Sequence, residues 1–154
     1  MINLHPMTEA EFARYEDHAV HDFTRDGVSG TWPSAPIARE QFDKLLPAGL
    51  KTPHQHLLSI KDRDRHYGSI WLTAVQRFDG PEGFIMDFLI FPESRRRGYG
   101  LATLLAAERY FQSLGIEAIS LNVLPHNEAA RRLYAKAGYL PANIRMKKDI
   151  RAAP

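Results

Sequence analysis

Apolar and polar positions change period along this chain, and each change marks an element. FIMDFLIF (residues 84–91) is an almost unbroken apolar run of strand length, interrupted by one carboxylate at Asp87. A run of that length bounded by turn residues reads as a buried strand. LATLLAAERYFQSL (residues 101–114) instead spaces its apolar residues as one face of a helix. Between them lies PESRRRGYG, so the centre of the chain is a strand, a basic glycine-containing loop and a helix.

The same reading runs outward in both directions. Residues 2–5 end at Pro6 as an opening strand, and Thr8 with Glu11 has capping-box spacing, predicting a helix from Thr8 to about Ala19. HDFTRDGVSGTWPSAP (residues 21–36) is dense in Gly, Pro, Ser and Asp and reads as a long loop. Residues 35–46 predict a second helix stopped by Pro47, followed by the connector LPAGLKTP. Residues 54–60 and 66–75 form the arms of a hairpin around KDRDR, and Gly80, Pro81 and Gly83 punctuate the chain before the central strand. Beyond the central helix, Gly115 caps its end, residues 116–124 predict a strand, and residues 127–137 predict a helix closed by Gly138. Residues 139–150 read as one or two final strands. The order is that of an α/β fold in a single domain over residues 1–154, with a mixed, mainly antiparallel sheet and one parallel crossover.

Composition narrows the function classes. At 154 residues, with 44% hydrophobic and 25% charged residues, the chain matches an ordinary soluble globule. A net charge of +2 does not argue for a nucleic-acid or membrane partner, and there are no cysteines to form disulfides, thiolate metal sites or a nucleophile. MINLHPMTEAEF lacks a signal-peptide pattern and no segment approaches bilayer length, so a cytoplasmic location is expected.

Arg95, Arg96 and Arg97 alone would be a solvated basic turn. Gly98 and Gly100 at a strand-to-helix junction change that reading, because unpaired amides at a helix start attract an anion and glycines admit a phosphate to the backbone. GYGLAT imitates a dinucleotide fingerprint, yet PESRRR separates it from the strand and the next strand supplies no terminal acid. A P-loop fails as well, because the glycines are too close and no Lys-Ser/Thr pair follows.

Arg95-Arg96-Arg97-Gly98-Tyr99-Gly100 resembles the R/Q-x-x-G-x-G/A loop of the GCN5-related N-acetyltransferase (GNAT) superfamily, which wraps the pyrophosphate of acetyl-CoA. LNVLPHNEAARRLYAKAGY resembles the second signature of that superfamily through Asn127, Ala130, Leu133, Tyr134, Gly138 and Tyr139, and RMKKDI resembles its closing strand. The resemblance covers residues 84–150 specifically and the first half loosely. It implies a GNAT-like fold with splayed strands flanked by helices, and direct acetyl transfer from acetyl-CoA, without a metal, to a primary amine of a small molecule or protein. It implies pantetheine along Leu89, Ile90 and Phe91, pyrophosphate on residues 95–100, a cofactor contact at Asn127, and Tyr134 protonating the departing thiolate. It also makes a homodimer an expectation. A non-catalytic CoA-binding sensor or partner-binding module is the alternative from another class.

The residues themselves leave some roles open. Tyr134 shares one helical face with Ala130, Leu133 and Ala137, where a core tyrosine would also sit. Asn127 is equally an N-cap. Simple alternation puts Asp87 on one face of the strand with Ile85, Leu89 and Phe91. A carboxylate there needs either a structural partner or a use, such as positioning the amine or accepting its proton. His54 and His56 have strand spacing but no third metal ligand in reach, and His21, Asp22, Arg25 and Trp32 fall in the long loop that borders the acceptor pocket in the superfamily. Glu108 falls inside the apolar arc of Leu101, Leu104, Leu105, Phe111 and Leu114.

Overall fold

The apolar hairpin at the centre of the sequence becomes the frame of the sheet. A computed structural model describes residues 1–24 and 32–151. Among these residues one sheet has the order β1 (Asn3–Pro6), β2 (Gln55–Asp62), β3 (Arg65–Arg77), β4 (Gly80–Ile90) and β5 (Ile119–Leu121). β1 to β4 pair antiparallel, and β5 joins β4 in parallel through the crossover. The helices are α1 (Glu9–Asp22), α2 (Ala35–Leu45), α3 (Tyr99–Ser113) and α4 (Glu128–Lys136).

Alternation along β2 and β3 divides the core between the two sheet faces. Leu58, Ile60, Ile70 and Leu72 meet Leu104, Ala107 and Phe111 of α3, with Leu133 and Tyr134 of α4 packed at the margin. Leu57 and Trp71 point the other way, against Phe12, Tyr15 and Ala19 of α1 and Phe42 of α2. Trp71 is fully buried, lies edge-on to Phe42 at 5.7 Å, and donates its indole N–H to Gln55 Oε1 at 2.7 Å. That hydrogen bond removes the cost of burying its polar atom.

A register shift in β4 changes the expected alternation. Trp71 pairs with Asp87 and Leu72 with Ile85, which leaves Met86 as an extra residue. This bulge places Ile85 with Phe88 and Ile90 in the α3-side cluster, while Met86 packs with the α1-side cluster. Asp87, opposite Trp71, therefore turns toward α1 and no longer shares a face with Ile85.

Other boundaries differ for local reasons. α1 continues three residues past Ala19, because no Gly or Pro stops it there, and Phe23 N–H closes it on the Ala19 carbonyl. His21 and Asp22 thus belong to α1 and not to a loop. Trp32 packs edge-on against Phe23 at 5.4 Å, and Arg25 lies outside the described residues. Gly80, Pro81 and Gly83 lie inside β4, since β3 runs on to Arg77 and pairs with them. β5 is three residues long, because only Gly83 to Ile85 offer it partners. The final strands expected over residues 139–150 do not form: among the described residues this stretch makes no ladder with the outer edge of β5 or with any other strand, and residues 140–150 are exposed.

The capping box at Thr8 is present, and its Glu11 also binds Lys61 Nζ at 2.6 Å, fastening α1 to β2. Burial raises the Glu11 pKa, but Lys61 and the Thr8 amide outweigh it and bring the value to about 2. A depressed carboxylate pKa contributes stability that is full above about 4.5 and lost as pH falls toward 2. Glu11→Gln is expected to cost about 1–2 kcal/mol at neutral pH, allowing for solvent around Lys61, and nothing near pH 2. Urea melts at both pH values would check this.

Candidate active site

The sheet opens where β4 loses its parallel neighbour. Pairing ends at Ile85 with Leu121, and Met86 to Ile90 continue without β5 beside them. Phe91 N–H donates to the Tyr67 carbonyl, so the alternation of an antiparallel ladder turns the amides of Phe88 and Ile90 toward the open edge. The Ile90 carbonyl on that edge accepts a hydrogen bond from Arg95 Nε at 2.9 Å. Leu89, Ile90 and Phe91 are half-buried along this opening.

Below the opening, the basic loop feeds α3. Pro92–Ser94 form a 3₁₀ turn, Arg96 is left-handed at φ 63°, and Gly98 is the N-cap at φ 82° with no side chain to bond the first amides. The first amides of α3, beginning at Tyr99 and Gly100, therefore face outward without a side-chain cap. The two glycines do different work. Gly98 allows the left-handed turn, and a Cβ there would meet nothing within 4 Å. A Cβ on Gly100 would come within 2.9 Å of Leu133, so this glycine lets α4 approach α3. Arg95 is held to β4, while the side chains of Arg96 and Arg97 are exposed. Tyr99 stacks obliquely on Tyr67 at 4.2 Å.

Above the opening stand three polar side chains from three elements. Tyr15 of α1 donates its hydroxyl to Asp87 Oδ2 at 2.9 Å, with Tyr15 itself buried. Burial, reinforced by the charge of Asp22, pushes Asp87 up to about 6 against the opposing pull of the Tyr15 hydroxyl, the Phe88 amide and His18. Burial and then the Asp87 charge push Tyr134 up to about 12. Tyr15 is raised well above the ordinary phenol value, first by burial and then by Asp87. At neutral pH this set offers a carboxylate and two neutral phenols. Asn127 accepts from the Ala130 amide at 3.3 Å and caps α4, placing Tyr134 two turns along.

Tyr15 and His18 were not among the residues singled out from sequence. They repeat with Asp22 at helical spacing on α1, a pattern that a longer α1 would have exposed. The remaining candidates lie elsewhere. His54 is exposed and left-handed at φ 63°, while His56 Nδ1 meets the Tyr110 hydroxyl at 2.7 Å. Glu108 sits beside Tyr139 and contributes to raising that phenol to about 12, after burial. Leu105 and Leu114, expected to face the core beside it, are exposed.

A basic loop before a helix and a tyrosine on the following helix, both at one sheet opening, accompany a match to the acetyltransferase (GNAT) family model over residues 13–139. The chain belongs to the GNAT family. It is also 34% identical over 154 residues to the uncharacterized N-acetyltransferase YycN of Bacillus subtilis, covering 97% of this chain and 99% of that one. GNAT membership and this relationship make it an acyltransferase. The crystal structure of YycN superposes with a TM-score of 0.84 at 33% identity, covering 97% of this chain and 98% of that chain. A predicted acetyltransferase of Clostridium acetobutylicum, solved with acetyl-CoA, shares the GNAT fold at a TM-score of 0.68 and 13% identity, covering 97% of each chain. Among the described residues, no helix is long and apolar enough to cross a membrane.

Proposed function

We propose that this protein transfers the acetyl group of acetyl-CoA directly to a primary amine within a ternary complex. The observation that carries this reading is the sheet opening with an uncapped helix start at one end and the Tyr15, Asp87 and Tyr134 group at the other. A pyrophosphate suits the outward amides of α3 with Arg96 and Arg97 nearby. The peptide-like pantetheine suits the free edge of β4, where an amide near Ile90 would polarise the thioester carbonyl. Holding amine and thioester together supplies much of the rate.

Asp87 and Tyr134 then divide the proton transfers. Attack requires an uncharged amine, and a carboxylate with a pKa of about 6 accepts its proton at neutral pH. Once Asp87 is protonated, the negative charge that raises Tyr134 is gone, and the phenol becomes a stronger acid as the CoA sulfur departs. An amine arriving as the ammonium gives up its first proton through Asp87 to water. The neutral amine then forms the C–N bond, and its nitrogen passes a second proton to Asp87 as the C–S bond breaks. The thiolate takes the Tyr134 proton, and the proton on Asp87 restores the phenol.

Thermal denaturation with acetyl-CoA, CoA, NAD(P) and ATP, on the parent protein and on Gly98→Glu and Gly98→Ala, tests the cofactor assignment. At a hundredfold excess over Kd, binding is expected to raise Tm by about 5–10 °C with acetyl-CoA and CoA. Gly98→Ala carries the same φ strain without the bulk and charge, so it should retain the shift that Gly98→Glu loses. A shift with NAD(P) or ATP alone would overturn the transferase reading. No shift with any ligand would overturn the assignment of this loop to CoA.

A further inference from the structure

The buried stripe of α1 carries one polar tip, and that tip is aimed at Asp87. Phe12, Tyr15 and Ala19 recur at helical spacing and pack with Leu57, Trp71 and Phe42. Of the three only Tyr15 has a hydroxyl, and at 5% exposure the residue must find a partner for it inside the protein. Packing fixes the ring, which lies 6.4 Å from that of Phe42. The bulge at Met86 supplies the partner. Asp87, opposite Trp71, turns to the same side of the sheet, and Tyr15 donates to its Oδ2 at 2.9 Å. Trp71 has nothing to donate here, because its indole N–H is bound to Gln55 Oε1. Among the described residues no second side chain donates to Asp87.

The direction of this bond distinguishes the two carboxylate oxygens. A phenol held well above its ordinary pKa stays a donor across the working range of a protein. Its hydrogen occupies Oδ2 when Asp87 is charged, and still does when Asp87 is neutral, because the carbonyl oxygen of a neutral carboxyl also accepts. A proton arriving at Asp87 therefore settles on Oδ1. The Phe88 amide also holds the carboxylate, so donors from α1 and from β4 together fix its plane. The titratable groups whose charge or hydrogen bond reaches it are Tyr15, His18 and Asp22 of α1 and Tyr134 of α4. Of these only Tyr15 orients the carboxylate as well as altering its charge balance.

We infer that Tyr15 is a positioning residue for acetyl transfer, holding Oδ2 of Asp87 so that Oδ1 receives the proton of the attacking amine and returns it to Tyr134. The inference rests on Asp87 acting as the base. One proton passes from the amine nitrogen to Oδ1 and from Oδ1 to the Tyr134 phenolate, while the Tyr15 proton stays on its own oxygen throughout.

Tyr15→Phe tests this, since it keeps the ring against Phe42 and removes only the donor. Carbon-13 NMR of protein labelled at its aspartate carboxyls reads the Asp87 titration without any substrate. The phenol favours the charged carboxylate, so in the variant the titration should move up from about 6 by about one pH unit. The acidic limb of kcat, measured with a primary amine from a screened panel, should move with it. Plateau kcat should fall by about tenfold, while the acetyl-CoA Kd from calorimetry stays the same. In an Asp87→Asn background the same substitution should leave kcat as it is, because the group it acts through is gone. Tyr15→3-fluorotyrosine, a stronger donor of nearly the same shape, should move the titration the other way and keeps the test open if Tyr15→Phe folds poorly. An Asp87 titration that moves in neither variant overturns the inference, makes the phenol a packing group and leaves the transferase reading standing. A titration that moves while the acidic limb stays in place overturns Asp87 as the base and the positioning role with it. Absence of acetyl transfer to every primary amine overturns the transferase reading itself.

Discussion

Tyr134→Phe is expected to lower kcat by about 10²–10³-fold while leaving acetyl-CoA affinity and melting temperature almost unchanged. The substitution removes one oxygen from a half-buried ring at the margin of the α3-side cluster, so the packing of Leu133 and the Tyr134 ring of α4 against that cluster survives. What disappears is a proton. Burial and the charge on Asp87 hold the phenol near 12, and it therefore enters each turnover fully protonated. A phenylalanine leaves the thiolate to depart unprotonated or to wait for water. A hydroxyl that acts on the leaving group and not on bound cofactor would show its loss in kcat and equally in kcat/KM. Steady-state kinetics with an amine found by acceptor screening, together with calorimetric titration of CoA, would separate the two. A variant that turns over at the parent rate from pH 6 to 9 removes Tyr134 from the reaction. A variant that loses CoA affinity in proportion to rate makes the hydroxyl a binding group instead.

The second half of this site was legible in sequence because its signals are local. A strand, a loop with Arg95 to Gly100 and a helix must be contiguous to present amides to one point, and Asn127 with Tyr134 is fixed by the pitch of one helix. The partner of Asp87 was not legible, because Tyr15 lies 72 residues away and reaches Asp87 only through the packing of α1 on the sheet. The bulge at Met86 was equally hidden. Period-two alternation puts Asp87 with Ile85, and only the register against Trp71 and Leu72 shows that one residue is extra. Gly100 adds a contact of another kind: the sequence linked it to a phosphate approaching the backbone, and the structure also places Leu133 within 2.9 Å of where its Cβ would lie, a neighbour that only the packing of α4 on α3 reveals. The end of the chain shows the reverse case, where a strand pattern is present in residues 142–150 and, among the described residues, the stretch pairs with no strand.

Asp87→Asn is expected to make the protein more stable and less active, and the pH dependence of each effect identifies its cause. The folded-state pKa of Asp87 is about 6, above the ordinary 3.8, so the native state holds this proton more tightly than the unfolded chain does. Stability contributed by this group is therefore greatest below 3.8 and falls as pH rises to about 6, beyond which the full penalty of a buried charge remains. A shift from 3.8 to about 6 corresponds to roughly 3 kcal/mol, and partial solvent access reduces the expected gain to about 1–2 kcal/mol. Asparagine keeps an oxygen to accept the Tyr15 hydroxyl, so Tm at pH 7.5 should rise by a few degrees, with no rise at pH 3.5. Turnover should fall by about 10²-fold or more, and the acidic limb near pH 6 in the parent rate profile should vanish, since no group remains to take the amine proton. The two outcomes are linked, because the desolvation that makes Asp87 costly to the fold is also what raises it into the range of a useful base. If Asn lowers Tm at pH 7.5 and leaves the acidic limb in place, Asp87 is instead a structural acceptor for Tyr15, and the amine must lose its proton elsewhere.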